Sequence, residues 1–296
     1  MANLITTPVP DEQYLGGHAP YVANPELATE IFLSGQSYRP SADTAATLIR
    51  LCQSTGYVGL VGPAACGKNA LMSHLVDGHD IYVPLVSSTS RPIRRNNGVW
   101  EQDGVHYMYR TEQEQLADAQ AGLFIEAAVI HDSYISGQHI SQVEQALEAG
   151  KTVINEFEVY GVDVIRRLHP EWRAIGFVAS SMDERNRIFA ERSGSDGNTD
   201  DARRRNLSAA WELDKLLNKD AYAIFVNEMR QVNVEDLPEL IAANAERLHK
   251  MIVDGANNGY QGHDDEQGRE IVKNSLEGML EMLGMDIEEV RVAKEA

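Results

Sequence analysis

Along the chain, apolar residues gather into short unbroken runs, and between the runs they recur every three or four positions. The runs are Tyr57–Val61, Ile81–Val86, Thr152–Val159, Ala174–Ala179 and Ala221–Val226. Short, mostly apolar runs of this kind suit strands buried on both faces, as in a parallel sheet sandwiched by helices. The spaced pattern predicts helices over 44–52, from Ala70 onward, over about 111–121, over 141–149, over 234–253 and over 270–283. Ser41-Ala42-Asp43 reads as the start of the first of these and Gly150 as the stop of the fourth. Strands alternating with helices predict an α/β fold with a parallel core sheet covered on both sides. Pro84 marks its run as a strand end or a sheet edge. Glu156 and Glu158 stand two apart in the run 152–159, which would put both carboxylates on one strand face.

Other stretches depart from this alternation. Met1 to about Pro40 is rich in Pro, Gly, Asn and Ser, with one short helical pattern near 25–33, and reads as an extension with little structure of its own. Ser87 to Gly137 is the most polar and irregular part of the first half. Between Asp183 and Lys219 the sequence is rich in arginine and is interrupted by Ser193-Gly194-Ser195-Asp196-Gly197-Asn198-Thr199. That insert is too polar and glycine-rich for a core and is expected to be a mobile flap between two helices. A polar linker over 254–265 precedes an acidic amphipathic helix bearing Ile271, Leu276, Met279, Leu280 and Leu283, expected to pack on its own core or on a second copy. A homodimer through that helix is left open.

Composition narrows the class. Of 296 residues, 43% are apolar, enough for a sizeable core. A net charge of −19 argues against general affinity for nucleic acid or anionic membranes. Arginines nevertheless cluster at Arg91, Arg94, Arg95 and Arg110 and again from Arg166 through Arg205, which suggests a small anionic ligand. Two cysteines, Cys52 and Cys66, give no disulfide framework and fit a reducing cytoplasm. The N-terminal residues show no basic-then-apolar leader, and no apolar run is long enough to span a bilayer.

The chemistry is most legible from Gly62 to Ala70. Gly62-Pro63-Ala64-Ala65-Cys66-Gly67-Lys68-Asn69 follows the apolar run at Tyr57 and precedes Ala70-Leu71-Met72-Ser73-His74-Leu75, a strand, a G-x-x-x-x-G-K loop and a helix in order. Glycines at 62 and 67 let the backbone curl so that successive N–H groups converge on an anion, and the helix N-terminus adds partial positive charge. Lys68 is then expected to reach the outer phosphates of a nucleotide. Asn69 stands where a Ser or Thr hydroxyl usually meets magnesium, so the metal would be held weakly or mainly through water.

From about Tyr57 to Leu248 the order of motifs resembles the guanylate kinase family. The phosphate loop is followed by Ser87-Ser88-Thr89-Ser90-Arg91-Pro92-Ile93-Arg94, similar to that family's Ser-x-Thr-Thr-Arg-x-x-Arg. Gly104-Val105-His106-Tyr107, Phe124-Ile125-Glu126, Ala149-Gly150-Lys151 before an acidic strand, the arginine-rich flap and Val226-Asn227 follow in the family's sequence. The resemblance implies a three-layer P-loop kinase fold over 55–253, with an inserted nucleoside-monophosphate-binding region at about 87–140 and a mobile lid at about 185–206. Residues 1–54 and 254–296 fall outside it as extensions.

It also implies roles. Gly62 through Ala70 would bind ATP, Mg2+ would be met by Asn69 and Glu156, and Glu156 and Tyr134 would also stand among the residues that bind GMP. Arg91, Arg94 and Tyr107 would hold the phosphate of GMP or dGMP, the arginines because a guanidinium fork pairs with two phosphate oxygens at once. Ser87 would lie near guanine O6, and Glu126 would accept from N1–H and the 2-amino group, a donor pair that adenine lacks. Lys68 with Arg192 and Arg204 of the lid would stabilise the transferring phosphoryl group, and the other lid arginines would pair with surrounding acids. The chain departs from the family at Ile135, where a second phosphate-binding tyrosine is usual, and at Gly137, where a hydroxyl helps to read guanine. Tyr134 or Ser136 could take over only after a local shift. These departures leave open a kinase for a different or modified monophosphate and, in another class, a catalytically weak guanylate-kinase-like binding module. Retention of Gly62, Gly67 and Lys68 favours the enzyme.

Overall fold

The structure is a computed structural model and describes residues 38–96, 99–130, 134–193, 200–233, 235–256 and 266–295. The expected short helix near 25–33, the flap over 194–199 and most of the linker 254–265 lie outside these residues. The chain forms two compact units, one of residues 1–48 with 85–144 and one of residues 49–84 with 145–296.

The larger unit is built on a five-stranded parallel sheet. Its strands are β1 (Tyr57–Val61), β2 (Tyr82–Pro84), β9 (Thr152–Glu156), β10 (Ala174–Ala179) and β11 (Tyr222–Asn227), in the order β11-β10-β1-β9-β2. Every residue of β1 and of β10 is buried, which is why both read as unbroken apolar runs. Pro84 ends β2, and β2 lies at the sheet edge, where a missing N–H breaks no ladder. On one face, α2 (Lys68–Gly78) and α8 (Leu237–Ala256) lay Leu71, Leu75, Leu248 and Ile252 against Leu60, Ile154 and Phe177. The other face is equally tight: a Cβ on Gly59 would stand 2.8 Å from the Phe157 ring and 2.9 Å from Trp172.

The acidic run ends sooner than its alternation suggests. β9 stops at Glu156, the Phe157 N–H donates to Leu60 O at 2.9 Å, and Glu158 is the N-cap of α5 (Val159–Leu168). Glu156 and Glu158 therefore do not share a strand face. Period-two reading failed here because the chain turns into a helix within three residues.

Beyond α6 (Met182–Ser193) and α7 (Asp200–Leu216), the C-terminal helix α9 (Glu266–Leu283) buries Val272, Leu276, Met279 and Leu283 on its own unit. Arg269 of α9 is buried and donates to Leu216 O (3.2 Å) and Tyr222 O (3.0 Å), closing the end of α7 against the start of β11. A last helix, α10 (Ile287–Glu295), was not anticipated; Arg291 pins it by donating to both oxygens of Asp214, at 2.9 and 3.1 Å.

The smaller unit carries what reads as irregular sequence. β3 (Ser88–Thr89), β6 (Met108–Tyr109), β7 (Phe124–Ile130) and β8 (Tyr134–His139) form a four-stranded sheet in the order β6-β3-β8-β7. A ribbon of β4 (Arg95–Asn96) and β5 (Val99–Trp100) lies beside it in sequence. Helix α3 (Glu112–Gln120) starts at a capping box between Thr111 and Glu114. Helix α1 (Ala42–Ser54) is anchored at its start, where the Thr44 hydroxyl donates to Gly122 O at 2.7 Å, and α4 (Ile140–Glu148) ends before Gly150.

Candidate active site

The residues singled out by sequence fall in both units.

In the larger unit, the loop between β1 and α2 has the conformation its glycines require. Gly67 sits at φ 86°, and Ala65, the one non-glycine residue at positive φ among the described residues, at φ 66°. Left-handed residues alternating with ordinary ones turn consecutive N–H groups inward, the arrangement that binds phosphate. Gly62 (φ 148°) has no room for a side chain, since a Cβ would stand 2.2 Å from Phe177 O. Helix α2 follows directly, with Asn69 exposed in its first turn. The loop is braced from outside by two residues whose part the sequence did not disclose. Asn227, at the end of β11, donates Nδ2–H to Cys66 O at 2.9 Å. Fully buried Arg185 donates Nε–H to Ala64 O at 2.9 Å and Nη1–H to Asn206 Oδ1 at 3.1 Å. Arg185 was grouped with lid arginines that pair with acids; instead it holds the loop. Arg187 does pair with acids, Glu184 and Glu191.

Lys68 folds back, donating Nζ–H to Gly62 O (2.6 Å) and Pro63 O (3.1 Å). Burial disfavours its charge, but the carboxylates of Glu156 and Glu212 more than offset this and raise its pKa, so it stays an ammonium. Glu212, on α7, is a member of this cluster that sequence reasoning missed. Its Oε2 is buried without a partner among the described residues, and burial together with neighbouring Glu158 pushes its carboxyl above the usual range. Its only sequence signal is its place in an arginine-rich helix. Arg204 lies on the exposed side of α7. Arg192 is in the last turn of α6, and its side chain is outside those described. The two residues expected to meet magnesium are exposed Asn69 and half-buried Glu156; each offers a hard oxygen of the kind that ion takes beside phosphates. Among the described residues no group of three or more His, Cys, Asp or Glu could hold a metal by itself.

In the smaller unit, Arg91 follows β3 and is buried. Its Nη1 and Nη2 donate to the two carboxylate oxygens of Glu101, each at 2.7 Å, and Nη1 also donates to Pro92 O. Glu101 further accepts from the Tyr109 hydroxyl at 2.6 Å and the Arg94 N–H at 2.9 Å. Burial pushes the Glu101 carboxyl up, but these donors, Arg91 first, pull it down to about 2. Neither Glu101 nor Tyr109 was expected at the site. The end-on fork of Arg91 is thus committed to Glu101, leaving Nε–H and one Nη2 hydrogen, the side-on fork, for a ligand. The guanidinium also lies 4.4 Å from the centre of the Tyr107 ring. Arg94 is exposed, 5.9 Å from the Tyr134 ring centre.

Glu126 is a buried residue of β7. An irregularity in pairing, with Phe124 opposite His139 but Ala127 opposite Gly137, sets Ile125 and Glu126 together against Gln138. Gly137 is required there: a Cβ would stand 2.7 Å from Glu126 O and 2.8 Å from Ala127 Cβ. Ile135 is fully buried, and Ser136 gives its hydroxyl to Ser88 O at 3.0 Å. The Ser87 hydroxyl oxygen accepts from Gln138 Nε2 at 2.7 Å.

Against known proteins, the family model described as guanylate kinase matches residues 54–242. A curated guanylate kinase from Hahella chejuensis is 31% identical over 186 residues, 63% of this chain and 85% of the relative. One from Sulfurimonas denitrificans is 38% identical over 110 residues, covering 37% of this chain and 51% of the relative's length. The crystal structure of guanylate kinase from Anaplasma phagocytophilum is 18% identical with a TM-score of 0.47, over 75% of this chain and 95% of that one.

Proposed function

The chain belongs to the guanylate kinase family, and from that membership we propose that it transfers the γ-phosphate of ATP to GMP or dGMP. The observation that carries the reading is the phosphate loop, with left-handed Ala65 and Gly67, intact Lys68 and a helix starting at the loop's end.

Phosphoryl transfer asks the protein for positioning and charge rather than covalent chemistry. The loop N–H groups of residues 62–70 and Lys68 hold the donor phosphates, Lys68 exchanging its bonds to Gly62 O and Pro63 O for phosphate oxygens. Asn69 and Glu156 would hold magnesium, which would supply charge neutralisation at those phosphates. The acceptor phosphate takes the side-on fork of Arg91, with Arg94 and Tyr107. Ser87 meets O6, and Glu126 accepts from N1–H and the 2-amino group, which sets guanine above adenine; Tyr134 completes the acceptor residues. Arg192 and Arg204 bring positive charge to the phosphoryl group in flight. Residues 55–253 are assigned to the kinase domain, 87–140 to acceptor binding, 185–206 to the lid, and 1–54 and 254–296 to extensions. The substrates are nucleotides, and the location is the cytoplasm, supported by two free cysteines. Among the described residues no helix is long and apolar enough to cross a membrane.

A different or modified acceptor base is the second reading, favoured by buried Ile135 and by the lack of room for a side chain at Gly137. Steady-state ADP release with each nucleoside monophosphate in turn decides between the two. Preference for GMP or dGMP supports the first, and preference for a pyrimidine monophosphate rejects the base assignment.

A further inference from the structure

Next to Ser87 lies a residue that nothing in the motif order singles out. Gln138 is buried to 2% exposure, whereas Ser87 is only half-buried and can be reached from outside. The two face each other because Ser88 pairs antiparallel with Gly137, which puts Ser87, just before β3, beside Gln138 of β8. Gln138 Nε2 donates to Ser87 Oγ at 2.7 Å. Its other end, Oε1, is buried without a partner among the described residues. Across β8 from Ser87 stand Ile125 and Glu126, so Gln138 occupies the strand position between the two groups assigned to the base.

A hydroxyl carries one hydrogen and can accept or donate, so its neighbours decide which face it offers a ligand. With an N–H already donated into its oxygen, the Ser87 hydroxyl has its own hydrogen to give outward. A 6-oxopurine presents an acceptor there, and a 6-aminopurine presents a donor. We propose that Gln138 is a positioning residue for base selection: by donating to Ser87 it keeps the hydroxyl hydrogen from turning towards Gln138 and directs it outward, which favours guanine O6 over the adenine amino group. This rests on the reading of the acceptor site as one for GMP. It also accounts for selectivity at a site where Gly137 has lost the hydroxyl usual in the family.

The test compares Gln138→Leu and Gln138→Glu with the full-length chain, reading the ratio of kcat/KM for GMP to that for AMP. A ratio within one preparation does not depend on how much of it is folded. Leucine keeps bulk but cannot orient the hydroxyl. An ionised glutamate can only accept, so it would draw the Ser87 hydrogen inward and offer the base a lone pair. The ratio is expected to fall about 10- to 100-fold in both variants, mainly through KM for GMP, and furthest in Gln138→Glu. In a Ser87→Ala background Gln138→Leu should then change the ratio less than threefold, because the group it acts through is gone. An unchanged ratio in both single variants, or an equal fall with and without Ser87, overturns the proposal. Failure of the unsubstituted chain to turn over GMP would instead overturn the reading on which it rests.

Discussion

Arg91 and Glu101 are joined end to end by two hydrogen bonds of 2.7 Å, both side chains buried, with the Tyr109 hydroxyl and the Arg94 N–H adding two more donors to Glu101 Oε2. The pair sets where the phosphate-facing edge of Arg91 can be. Glu101→Gln leaves a buried guanidinium opposite a neutral acceptor, and is expected to cost about 3 kcal/mol at neutral pH.

That cost has a defined pH window. The Glu101 carboxyl sits at about 2 in the folded chain against an ordinary value of 4.5, so its contribution is complete above about 4.5 and is lost as pH falls towards 2. Urea unfolding of the two proteins at pH 7 and pH 3 checks this. The difference between them should shrink at pH 3 to less than half its neutral value; a constant difference would mean the ion pair is not its source.

Gly137→Ser would place a hydroxyl where the resemblance to guanylate kinases implies one. The structure gives it nowhere to go, since a Cβ meets Glu126 O at 2.7 Å and Ala127 Cβ at 2.8 Å. The expected outcome is a loss of about 1–3 kcal/mol in stability and a higher KM for GMP, through displacement of the Glu126 backbone. A lower KM for GMP, at unchanged stability, would show that the strand yields at little cost.

Arg185→Leu removes the brace on Ala64 O and leaves Asn206 without that donor. KM for ATP is expected to rise about tenfold or more, with KM for the acceptor little changed. Initial rates with each substrate varied separately read the split; equal rises in both would point to general unfolding instead.

Arg269→Ala should destabilise the larger unit by about 2–4 kcal/mol, because a charged donor is lost from Leu216 O and Tyr222 O inside the core. Thermal unfolding measures it. A variant as stable as its parent would mean that the C-terminal helix is an ornament on the domain.

The parallel sheet was legible because strands buried on both faces read as apolar runs, as Tyr57–Val61 and Ala174–Ala179 do. The loop at Gly62 was legible because its spacing and its flanking elements carry a mechanism. In the smaller unit the helix over 112–120 was legible but the sheet was not: β3 is two polar residues, Ser88 and Thr89, and its partners Gly137 and Ser136 lie far along the chain. Glu101 looks like any surface glutamate until the ribbon between Arg91 and Glu101 folds the pair together. Gln138 and Glu212 gain meaning only from what packs beside them. At Glu158 the period-two pattern misled, because three residues suffice to pass from strand to helix.

The most direct test of the account follows the phosphate itself. ATP labelled at the γ-phosphate is incubated with magnesium and GMP, and the label is traced into GDP for the unsubstituted chain and for Lys68→Ala. Labelled GDP from the first, with at least a thousandfold less from the second, is expected when a lysine at the donor phosphates stabilises the transferring charge. GMP that binds yet never acquires label, or label transfer that survives the loss of Lys68, would contradict the assignment of this loop as the phosphoryl-transfer site.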